Sequence, residues 1–333
     1  MIDTDTANIE AVGPRNFTVS DSPDAAPSGA MPANAAVSHD SHDLDAVIAQ
    51  LFIYPVKSCA GIEVQEAILT ETGLEFDRAW MVVDAQGEFL TQRELPRMAL
   101  IQPRLRHFDM VLRAPGMLAL HIALDEVEQP AQVGLWGESV KAYDMGPIAA
   151  QWFTDFLGQA ARLVRFNPDQ QRLSSLDWTA GVEAQNQFND GYPLLLVSEA
   201  SLSGLNERLA AAGSKLVSVE RFRPNIVIGD APNAAGTVAA HDEDRLESLQ
   251  VSTEQGLLHL KPVKPCARCP IPDVDPLTAE VGTSVGDTLR GYRQDARVNG
   301  ALTFGMNVIV LNSPHEDRLL KVGQSVAASW LFG

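Results

Sequence analysis

The densest group of chemically capable residues is the segment KPCARCPIP at residues 264–272. A thiolate is the form of cysteine that attacks disulfides or binds soft metal ions, and neighbouring cations favour it over the thiol. Arg268, Lys264 and Lys261 supply such cations. Because a proline restricts the residue before it to an extended backbone, Cys269 is expected on a stiff loop. The segment therefore predicts a chemically primed thiol at position 269.

Spacing alone leaves the role of this Cys-x-x-Cys pair open. A zinc site needs about four ligands, and the pair supplies two with no second Cys or His pair behind it. A thioredoxin-like dithiol opens a helix after a strand, whereas Pro272 falls inside the would-be first turn. Two small buried cysteines without any reactive role also fit the pattern. The residues by themselves do not choose between these alternatives.

The composition describes an ordinary folded protein and restricts its partners. The chain has 333 residues, enough for about two domains. It carries 25 Lys and Arg against 43 Asp and Glu, a formal net charge of −18. Nucleic acids and anionic membranes both require a basic face, so neither partner is expected. Three cysteines are too few for a disulfide framework and suit a reducing compartment.

The first 45 residues differ from the rest of the chain. They hold eight acids and one base, and they are rich in Ala, Pro and Ser without apolar periodicity. Such a segment cannot bury enough apolar surface to offset its chain entropy, so residues 1–45 are predicted to be a disordered acidic tail. The start lacks a signal-peptide pattern, and no run approaches the ~20 apolar residues of a membrane span. A cytoplasmic protein is therefore expected.

Residues 46–166 have the pattern of a β-barrel-like domain. The apolar run 47–54 predicts a first strand that ends at Pro55, because proline lacks a donor for the ladder. Gly87 predicts a hairpin turn at 84–87. Further strand-like stretches favour a small barrel or sandwich; they lie near 99–105, 110–113, 118–123 and 131–142. A helix is expected next, because apolar residues recur every four positions; they are Ile148, Trp152 and Phe156.

A polar, aperiodic stretch at 167–190 is interpreted as the connection between two domains, with residues 191–333 as the second domain. There, 193–197 predicts a buried strand and Ser198 the cap of a following helix. That helix carries one apolar face, formed by Leu202, Leu205 and Leu209. Further strands are predicted at 226–228 and 308–311. The acidic run at 241–244 is interpreted as a surface loop rather than a catalytic acid pair.

Five short motifs occur in a fixed order along the chain. They are YPVKSCAG at 54–61, DRAW at 77–80, FRPN at 222–225, the 266–269 loop with VDP at 274–276, and FG at 304–305. Together they resemble the MOSC family, and within it the amidoxime-reducing branch with its amino-terminal barrel domain. The similarity covers roughly residues 48–331. The fold it implies is β-rich α+β, a β-barrel-like domain followed by a MOSC β-barrel domain with a few helices.

The resemblance implies a molybdenum cofactor of the molybdopterin type, a pterin dithiolene that holds the metal with one protein thiolate as a further ligand. The family's ligating cysteine matches Cys269, and sulfur is the ligand that such a soft centre requires. Cys266 would then be structural. The resemblance also matches a set of cofactor-binding positions, of which the cations would hold the cofactor phosphate. These positions are Lys57, Ser58, Arg78, Asp190, Arg223, Pro224 and Asn225.

Three residues depart from the pattern of eukaryotic relatives. Gly191 and Tyr192 follow Asp190 where Thr-Ser is common, so hydroxyl contacts to the cofactor are not expected there. Met306 stands where Gln is common and would change the polarity of the pocket. The chain also lacks the four cluster cysteines of an appended ferredoxin domain.

The activity implied by the resemblance is the reduction of small N-hydroxylated compounds, N–OH to N–H plus water. Because the chain holds no flavin or iron–sulfur motif, electrons would come from a separate donor protein of the ferredoxin, flavodoxin or cytochrome type with its reductase. An alternative is a sulfur carrier or cofactor-handling protein with a persulfide on Cys269. A third interpretation is a β-barrel binding module without catalysis.

Overall fold

The computed structural model describes residues 42–127, 129–232, 234, 236–311 and 318–331. The predicted acidic tail lies outside these residues except for its last four positions. Two of those, Leu44 and Asp45, already belong to the first strand, because Leu44 is buried and pairs with Ala328. No helix within the described residues is long and apolar enough to span a bilayer.

Strands dominate the described residues. The first eleven strands are β1 (Leu44–Ile53), β2 (Ile62–Val64), β3 (Glu66–Thr70), β4 (Gly73–Leu74), β5 (Trp80–Val83), β6 (Gln102–Leu105), β7 (Asp109–Arg113), β8 (Leu120–Ala123), β9 (Gln129–Leu135), β10 (Glu138–Asp144) and β11 (Arg162–Phe166). The other eight are β12 (Leu194–Ser198), β13 (Ile226–Asp230), β14 (Leu246–Thr253), β15 (Gly256–Ala267), β16 (Gln294–Asp295), β17 (Ala301–Val310), β18 (Arg318–Lys321) and β19 (Ser325–Trp330). The α-helices are α1 (Gly146–Leu157), α2 (Leu176–Thr179), α3 (Glu199–Ala211) and α4 (Ser284–Arg290). Short 3-10 helices occur at Pro96–Leu100, Val219–Phe222, Asp242–Arg245, Ile271–Asp273 and Ala296–Val298.

Seven strands close into a barrel in the order β12-β13-β1-β19-β14-β15-β17, and β17 pairs back onto β12. Only β12 and β13 are parallel; every other neighbouring pair is antiparallel. Alternating apolar residues of these strands form one buried cluster, which includes Ile48, Leu196, Ile228, Leu249, Leu260, Val308 and Val326. The predicted β-rich α+β fold is confirmed.

Smaller sheets and α1 form a second body of packed structure, built from residues before the barrel strands β12 to β19. The sheets are β5-β11-β10-β9 and β6-β7-β8. The third small sheet, β18-β3-β4, belongs with the barrel instead, because its Leu69, Leu74 and Leu320 are part of the barrel's buried cluster. The predicted turn at 84–87 forms, and Val83 bridges to Phe89 across it. In α1, Trp152 and Phe156 are buried as predicted, but Ile148 is 77% exposed. Its buried face runs through Ala149, Trp152, Phe153 and Phe156 instead.

The cysteine segment is partly a strand rather than a loop. Residues 264–267 end β15, which pairs with β17, and the loop begins at Arg268. The pairing shifts register at Pro262/Lys264 and again at Pro265/Ala267. A proline has no N–H for the ladder, so a strand that contains two prolines bulges at each of them. The extended backbone predicted before Pro265 is therefore kept within a sheet.

Residues 167–190 are more than a connection. They include α2, and Phe188 is fully buried with its ring 5.2 Å from that of Phe166. The buried Arg172 guanidinium donates to the carbonyls of Gln187 at 3.1 Å and Asn189 at 2.7 Å. These contacts fix the end of the stretch, where the predicted site residue Asp190 lies.

The acidic run at 241–244 is not a surface loop, since Asp242 and Glu243 are 3% and 0% exposed. The Glu243 carboxylate accepts hydrogen bonds from the hydroxyls of Ser198 at 2.8 Å and Ser201 at 2.7 Å. Ser198 also caps α3 as predicted, because its hydroxyl oxygen accepts from the Ser201 N–H at 3.0 Å. The carboxylate is buried because hydroxyl donors from the cap of α3 satisfy it.

Candidate functional site

Most of the predicted site residues meet in one open cavity. Segments that are far apart in the chain supply its wall: the turn after β1, the turn before β5, the loop before β12, the 3-10 helix before β13 and the loop after β15. Of the predicted residues, those lining it are Lys57, Ser58, Arg78, Asp190, Arg223, Asn225 and Cys269. Pro224 is buried beside them and does not line the cavity.

Lys57 is held at the cavity by the turn that follows β1. Its backbone N–H donates to the Trp80 carbonyl at 2.8 Å, and its buried Nζ donates to the Phe188 carbonyl at 2.8 Å and to the Asp190 carboxylate. Burial lowers the pKa of Lys57, and Asp190 partly offsets this effect. Desolvation would raise the pKa of Asp190, but the charge and hydrogen bond of Lys57, together with the charges of Arg93 and Arg78, hold that pKa well below its usual range.

Two arginines from distant segments lie against the same aromatic ring. The Arg78 and Arg223 guanidiniums are each 4.3 Å from the centroid of Tyr54. Arg78 forms two hydrogen bonds of 2.6 and 2.7 Å with the fully buried Asp77 carboxylate, and its Nη2 donates to the Arg223 carbonyl at 3.0 Å. Both residues adopt left-handed backbones, with φ of 52° and 58°. The arginines are thus fixed in place before any ligand binds.

Arg223 differs from Arg78 because no carboxylate pairs with it among the described residues. Its Nη1 donates to the Cys59 carbonyl at 2.6 Å, while Nη2 is buried without a partner in the described part of the chain. Burial, reinforced by the Arg78 charge, lowers the pKa of Arg223 to about 10. A buried guanidinium nitrogen without an acceptor is costly, and an anionic ligand in the cavity would satisfy it.

Ser58 and Asn225 contribute mainly to the walls. Ser58 is 5% exposed with φ of 65°, and its carbonyl accepts from the Gln92 side chain at 2.7 Å. The Asn225 amide oxygen accepts from the Leu195 N–H at 3.1 Å, and its Nδ2 donates to the Phe52 carbonyl at 3.2 Å. Asn225 therefore joins β1 to β12 directly behind the cavity surface.

Both cysteines of the Cys-x-x-Cys pair line the cavity, and both are free and partly exposed. They differ in their contacts, since the Cys266 Sγ accepts from Arg268 Nη1 at 2.9 Å. The Arg268 Nη2 donates to the Phe222 carbonyl at 2.9 Å. Lys264, predicted to act on the thiols, lies instead 5.0 Å from the Trp178 ring centroid. The third cysteine, Cys59, is fully buried, and burial raises its pKa to about 12.

The cavity also contains two arginines outside the predicted set of cofactor-binding residues. Arg93 lines it, and its guanidinium lies 4.8 Å from the centroid of Trp136. Arg268 lines it as well, and its Nε is buried without a partner among the described residues. The role of Arg268 in holding Cys266 depends on packing that a sequence does not display.

Of the three residues that depart from the family pattern, two line the cavity and one does not. Gly191 and Tyr192 line the cavity, and the Gly191 carbonyl accepts from Asn186 Nδ2 at 3.2 Å. Met306 is 4% exposed within β17 and does not line it. Its neighbour Asn307 does, with its Nδ2 donating to the Lys264 carbonyl at 3.1 Å. The expected change of pocket polarity at Met306 is therefore absent from the described wall.

The charge of the cavity is opposite to that of the chain. Among the residues that the structure describes, five cations line it, namely Lys57, Arg78, Arg93, Arg223 and Arg268, against the single carboxylate of Asp190. Lys57 and Arg78 have carboxylate partners, whereas Arg93, Arg223 and Arg268 have none among the described residues. In a protein with a net charge of −18, this excess of positive charge would favour an anionic ligand in a cavity that also has sulfur atoms on its wall.

Comparison with known proteins agrees with this geometry. Residues 45–160 match the model of the MOSC N-terminal beta barrel domain, and residues 183–327 match that of the MOSC domain. Mitochondrial amidoxime reducing component 2 of Rattus norvegicus is 35% identical over 258 residues, covering 74% of this chain and 72% of that protein. Mitochondrial amidoxime-reducing component 1 of Homo sapiens is 33% identical, covering 84% and 82%.

A relative of lower sequence identity belongs to a different class of protein by its name. Molybdenum cofactor sulfurase of Homo sapiens is 29% identical over 84% of this chain, but the match covers only 32% of that longer protein. The domain matches and the extent of the alignments with the amidoxime-reducing components show the relationship. The chain belongs to the MOSC domain family, in the branch that contains the amidoxime-reducing components.

Proposed function

We propose that this protein is a molybdenum-cofactor-dependent oxidoreductase that reduces N-hydroxylated compounds. Two electrons and two protons convert N–OH to N–H and water. The observation that supports the proposal is the cavity, which gathers unpaired arginines and the free thiol of Cys269 on one wall. The names of two relatives, both amidoxime-reducing components, direct the proposal to N-hydroxylated substrates such as amidoximes and hydroxylamines.

The residues of the cavity fit the cofactor of the family. A phosphate group requires guanidinium or ammonium donors, and Arg223 Nη2 and Arg268 Nε are buried donors without partners in the described residues. A soft metal centre requires a sulfur ligand, and Cys269 is free at the same surface. When bound, the molybdenum centre would supply two-electron redox chemistry that no side chain provides.

Each side chain then has a defined task. Lys57, Arg78 and Arg223 would hold the phosphate, Ser58 and Asp190 would contact the pterin, and Cys269 would bind the metal. Pro224 and Asn225 would hold Arg223 in position, because the Asn225 amide is already engaged between β1 and β12. Lys57 keeps a proton at Nζ between the Phe188 carbonyl and the Asp190 carboxylate.

The electrons would come from a separate donor protein with its reductase, because neither cysteine pattern nor fold in the described residues provides a second redox group. A cytoplasmic location is part of the same proposal. Fractionation of the native host with immunodetection of the protein would test it.

The test of the reaction uses protein made in a host that synthesises the cofactor. We expect near-stoichiometric molybdenum and pterin, and reduction of an aromatic amidoxime with an artificial reductant. Cys269→Ala should abolish the activity, while Cys266→Ala, a matched change three residues away, should retain most of it. Equal loss in both variants would contradict the assigned roles, and absence of molybdenum from the wild type would contradict the proposal.

A second candidate is a sulfur carrier with a persulfide on Cys269. The match to a molybdenum cofactor sulfurase and the partly exposed free thiol in a cationic cavity favour it. Native mass spectrometry distinguishes the two functions. A persulfide adduct on Cys269 without bound pterin would favour the carrier, and bound pterin without the adduct would favour the reductase.

A further inference from the structure

The β9–β10 hairpin ends in an unusual turn. Leu135 pairs with Glu138, so the loop consists of Trp136 and Gly137, with φ of 54° and 81°. A two-residue loop with both φ values positive is a type I′ turn, for which Asn, Asp and Gly are the favoured residues. A bulky tryptophan at its first position is a steric outlier. Residues held in such conformations are concentrated at functional sites.

Trp136 borders the cavity although it is not part of its wall. Its ring centroid lies 4.7 Å from that of Phe89 and 4.8 Å from the Arg93 guanidinium carbon. Lys57 Nζ is 5.8 Å from the same ring. Lys57 and Arg93 both line the cavity, and 45% of Trp136 remains exposed. The ring therefore offers accessible aromatic surface at the edge of the site.

The hairpin tip is fixed to the cavity wall. The Glu138 carboxylate accepts from Arg172 Nε at 2.9 Å, and Arg172 Nη1 donates to the Asn189 carbonyl at 2.7 Å. Asn189 lines the cavity next to Asp190. The position of Trp136 is thus set by the same loop that carries a site residue.

The position of the Arg93 guanidinium depends on its contact with Trp136. Its guanidinium stacks on Trp136 and forms no hydrogen bond or ion pair with any described residue. Its donors consequently remain available to a bound molecule. Indole and guanidinium planes both stack on planar π systems and offer little to a small aliphatic group.

We propose that Trp136, with Arg93, determines substrate specificity at this site. It provides a stacking surface that selects planar aromatic N-hydroxylated amidines over small aliphatic hydroxylamines. This inference rests on the proposed reductase function. It explains why the turn holds a tryptophan where asparagine would fit the backbone better.

The experiment compares Trp136→Asn with Trp330→Phe, a matched loss of one of the five tryptophans, at a position that stacks on Arg245. For Trp136→Asn we expect the ratio of kcat/KM for benzamidoxime to that for N-methylhydroxylamine to fall about ten-fold through KM, the effect of losing one aromatic contact. Trp330→Phe should keep the ratio. Benzamidine, which is not reduced, should quench tryptophan fluorescence in the wild type and Trp330→Phe but not in Trp136→Asn.

An unchanged ratio together with unchanged quenching in Trp136→Asn would overturn the inference. Loss of pterin in Trp136→Asn would also overturn it, because the ring would then support the cofactor site rather than the substrate. If the wild type reduces neither compound but its quenching by benzamidine depends on Trp136, the reductase function fails and the aromatic binding surface stands. An unchanged or higher thermal midpoint of Trp136→Asn, expected from the better turn residue, shows that the variant is folded.

Discussion

At the scale of single residues, Tyr54 is the side chain on which the two cavity arginines depend. Both guanidiniums lie 4.3 Å from its ring, while its hydroxyl is buried without a partner among the described residues. Gly61 leaves room for the ring, because a Cβ there would lie 2.4 Å from Tyr54 Cε1. The ring is therefore used for stacking, and the hydroxyl contributes nothing to its position.

This separation predicts opposite effects for two substitutions of Tyr54. Tyr54→Phe keeps the stacking and removes an unsatisfied hydroxyl, so the free energy of unfolding should rise by about 1 kcal/mol with the pterin content unchanged. Tyr54→Leu removes the cation–π contacts and should lower the pterin content. Urea unfolding and the fluorescence of the extracted, oxidised pterin measure the two effects. A stable Tyr54→Leu variant with full pterin content would contradict the role of the ring.

A second prediction concerns acid sensitivity and His241. Burial and the charges of Arg293 and Arg208 lower the pKa of His241 to about 4, and Asp242 only partly opposes them. Between pH 6.5 and 4 the unfolded chain therefore binds a proton on His241 that the folded protein excludes, so stability is lost as the pH falls through this range. His241→Asn, which tolerates the observed φ of 69°, removes this contribution.

Urea unfolding at pH 7.0 and pH 4.5 tests this directly. The wild type should lose more free energy of unfolding between the two pH values than His241→Asn loses. Glu243, whose pKa burial raises, has the opposite dependence and is present in both proteins, so it cancels in the comparison. Equal losses would mean that His241 titrates normally in the folded state.

The types of residue and the order of the motifs were enough to select a set of residues, most of which line one cavity in the structure. Lys57, Arg78 and Arg223 stand in short motifs whose sequence is distinctive. Arg93 could not be predicted in the same way, because the proposed role of its side chain depends on Trp136, which the β9–β10 hairpin places beside it although it is distant in the sequence. Glu243 was misinterpreted because its burial requires the hydroxyls of Ser198 and Ser201.

At the scale of elements, β17 closes the barrel by pairing with β12, and the two strands approach closely at Gly305. Gly305 has φ of +78°, and a Cβ there would lie 2.6 Å from the Leu196 carbonyl oxygen and 2.7 Å from Val197 Cγ2. Neither the backbone of β12 nor a β-branched side chain yields easily at that distance. The close approach of the two strands therefore requires a residue without a side chain.

Gly305→Ala should accordingly lower the free energy of unfolding by about 3 kcal/mol, the sum of backbone strain and overpacking. The matched control is Gly158→Ala at the end of α1. Its φ is +74°, but a Cβ there meets no atom within 4 Å, so only the backbone strain remains, about 1 kcal/mol. Denaturant unfolding measures both. Equal costs would show that the β12–β17 contact adapts to a methyl group.

Local patterns predicted β1, β12, β13 and α3, since each has apolar periodicity or a cap. They did not predict β15, because Pro262 and Pro265 argue against a central strand. The structure accommodates both prolines by shifting register beside them. The helix α1 lies where it was predicted, but Ile148 was wrongly placed on its buried face. Residues spaced four apart on a helix drift gradually around its axis, so such a series does not stay on one buried face.

At the scale of the whole molecule, the charge of the cavity is opposite in sign to the net charge of the chain. A chain with 18 more acids than bases places three arginines without carboxylate partners among the described residues, Arg93, Arg223 and Arg268, on the wall of one cavity, and this arrangement favours an anionic ligand there. The same cavity needs both halves of the chain, since Lys57 and Arg78 come from one and Arg223 and Cys269 from the other. Nonlocal pairing of this kind leaves no mark in a single sequence.

The pairing of β1 gives the last prediction, which concerns the domain boundary placed at residue 191. β1 lies between β13 and β19, and Leu44, Ala46 and Ile48 belong to the buried cluster of the barrel. The fragment 191–333 lacks this strand, so it would expose the edges of β13 and β19 and leave their apolar faces uncovered. It should therefore show no cooperative unfolding transition, unlike the fragment 42–333.

A fusion that restores β1 provides the control. Leu44 lies opposite Ala328, so residues 42–54 joined after residue 331 by a short turn would re-form the antiparallel pair of β1 and β19. This fusion should regain amide-exchange protection in β13 and β19. Cooperative unfolding of 191–333 alone would show instead that the barrel closes without its first strand and that the boundary at 191 marks an independent folding unit.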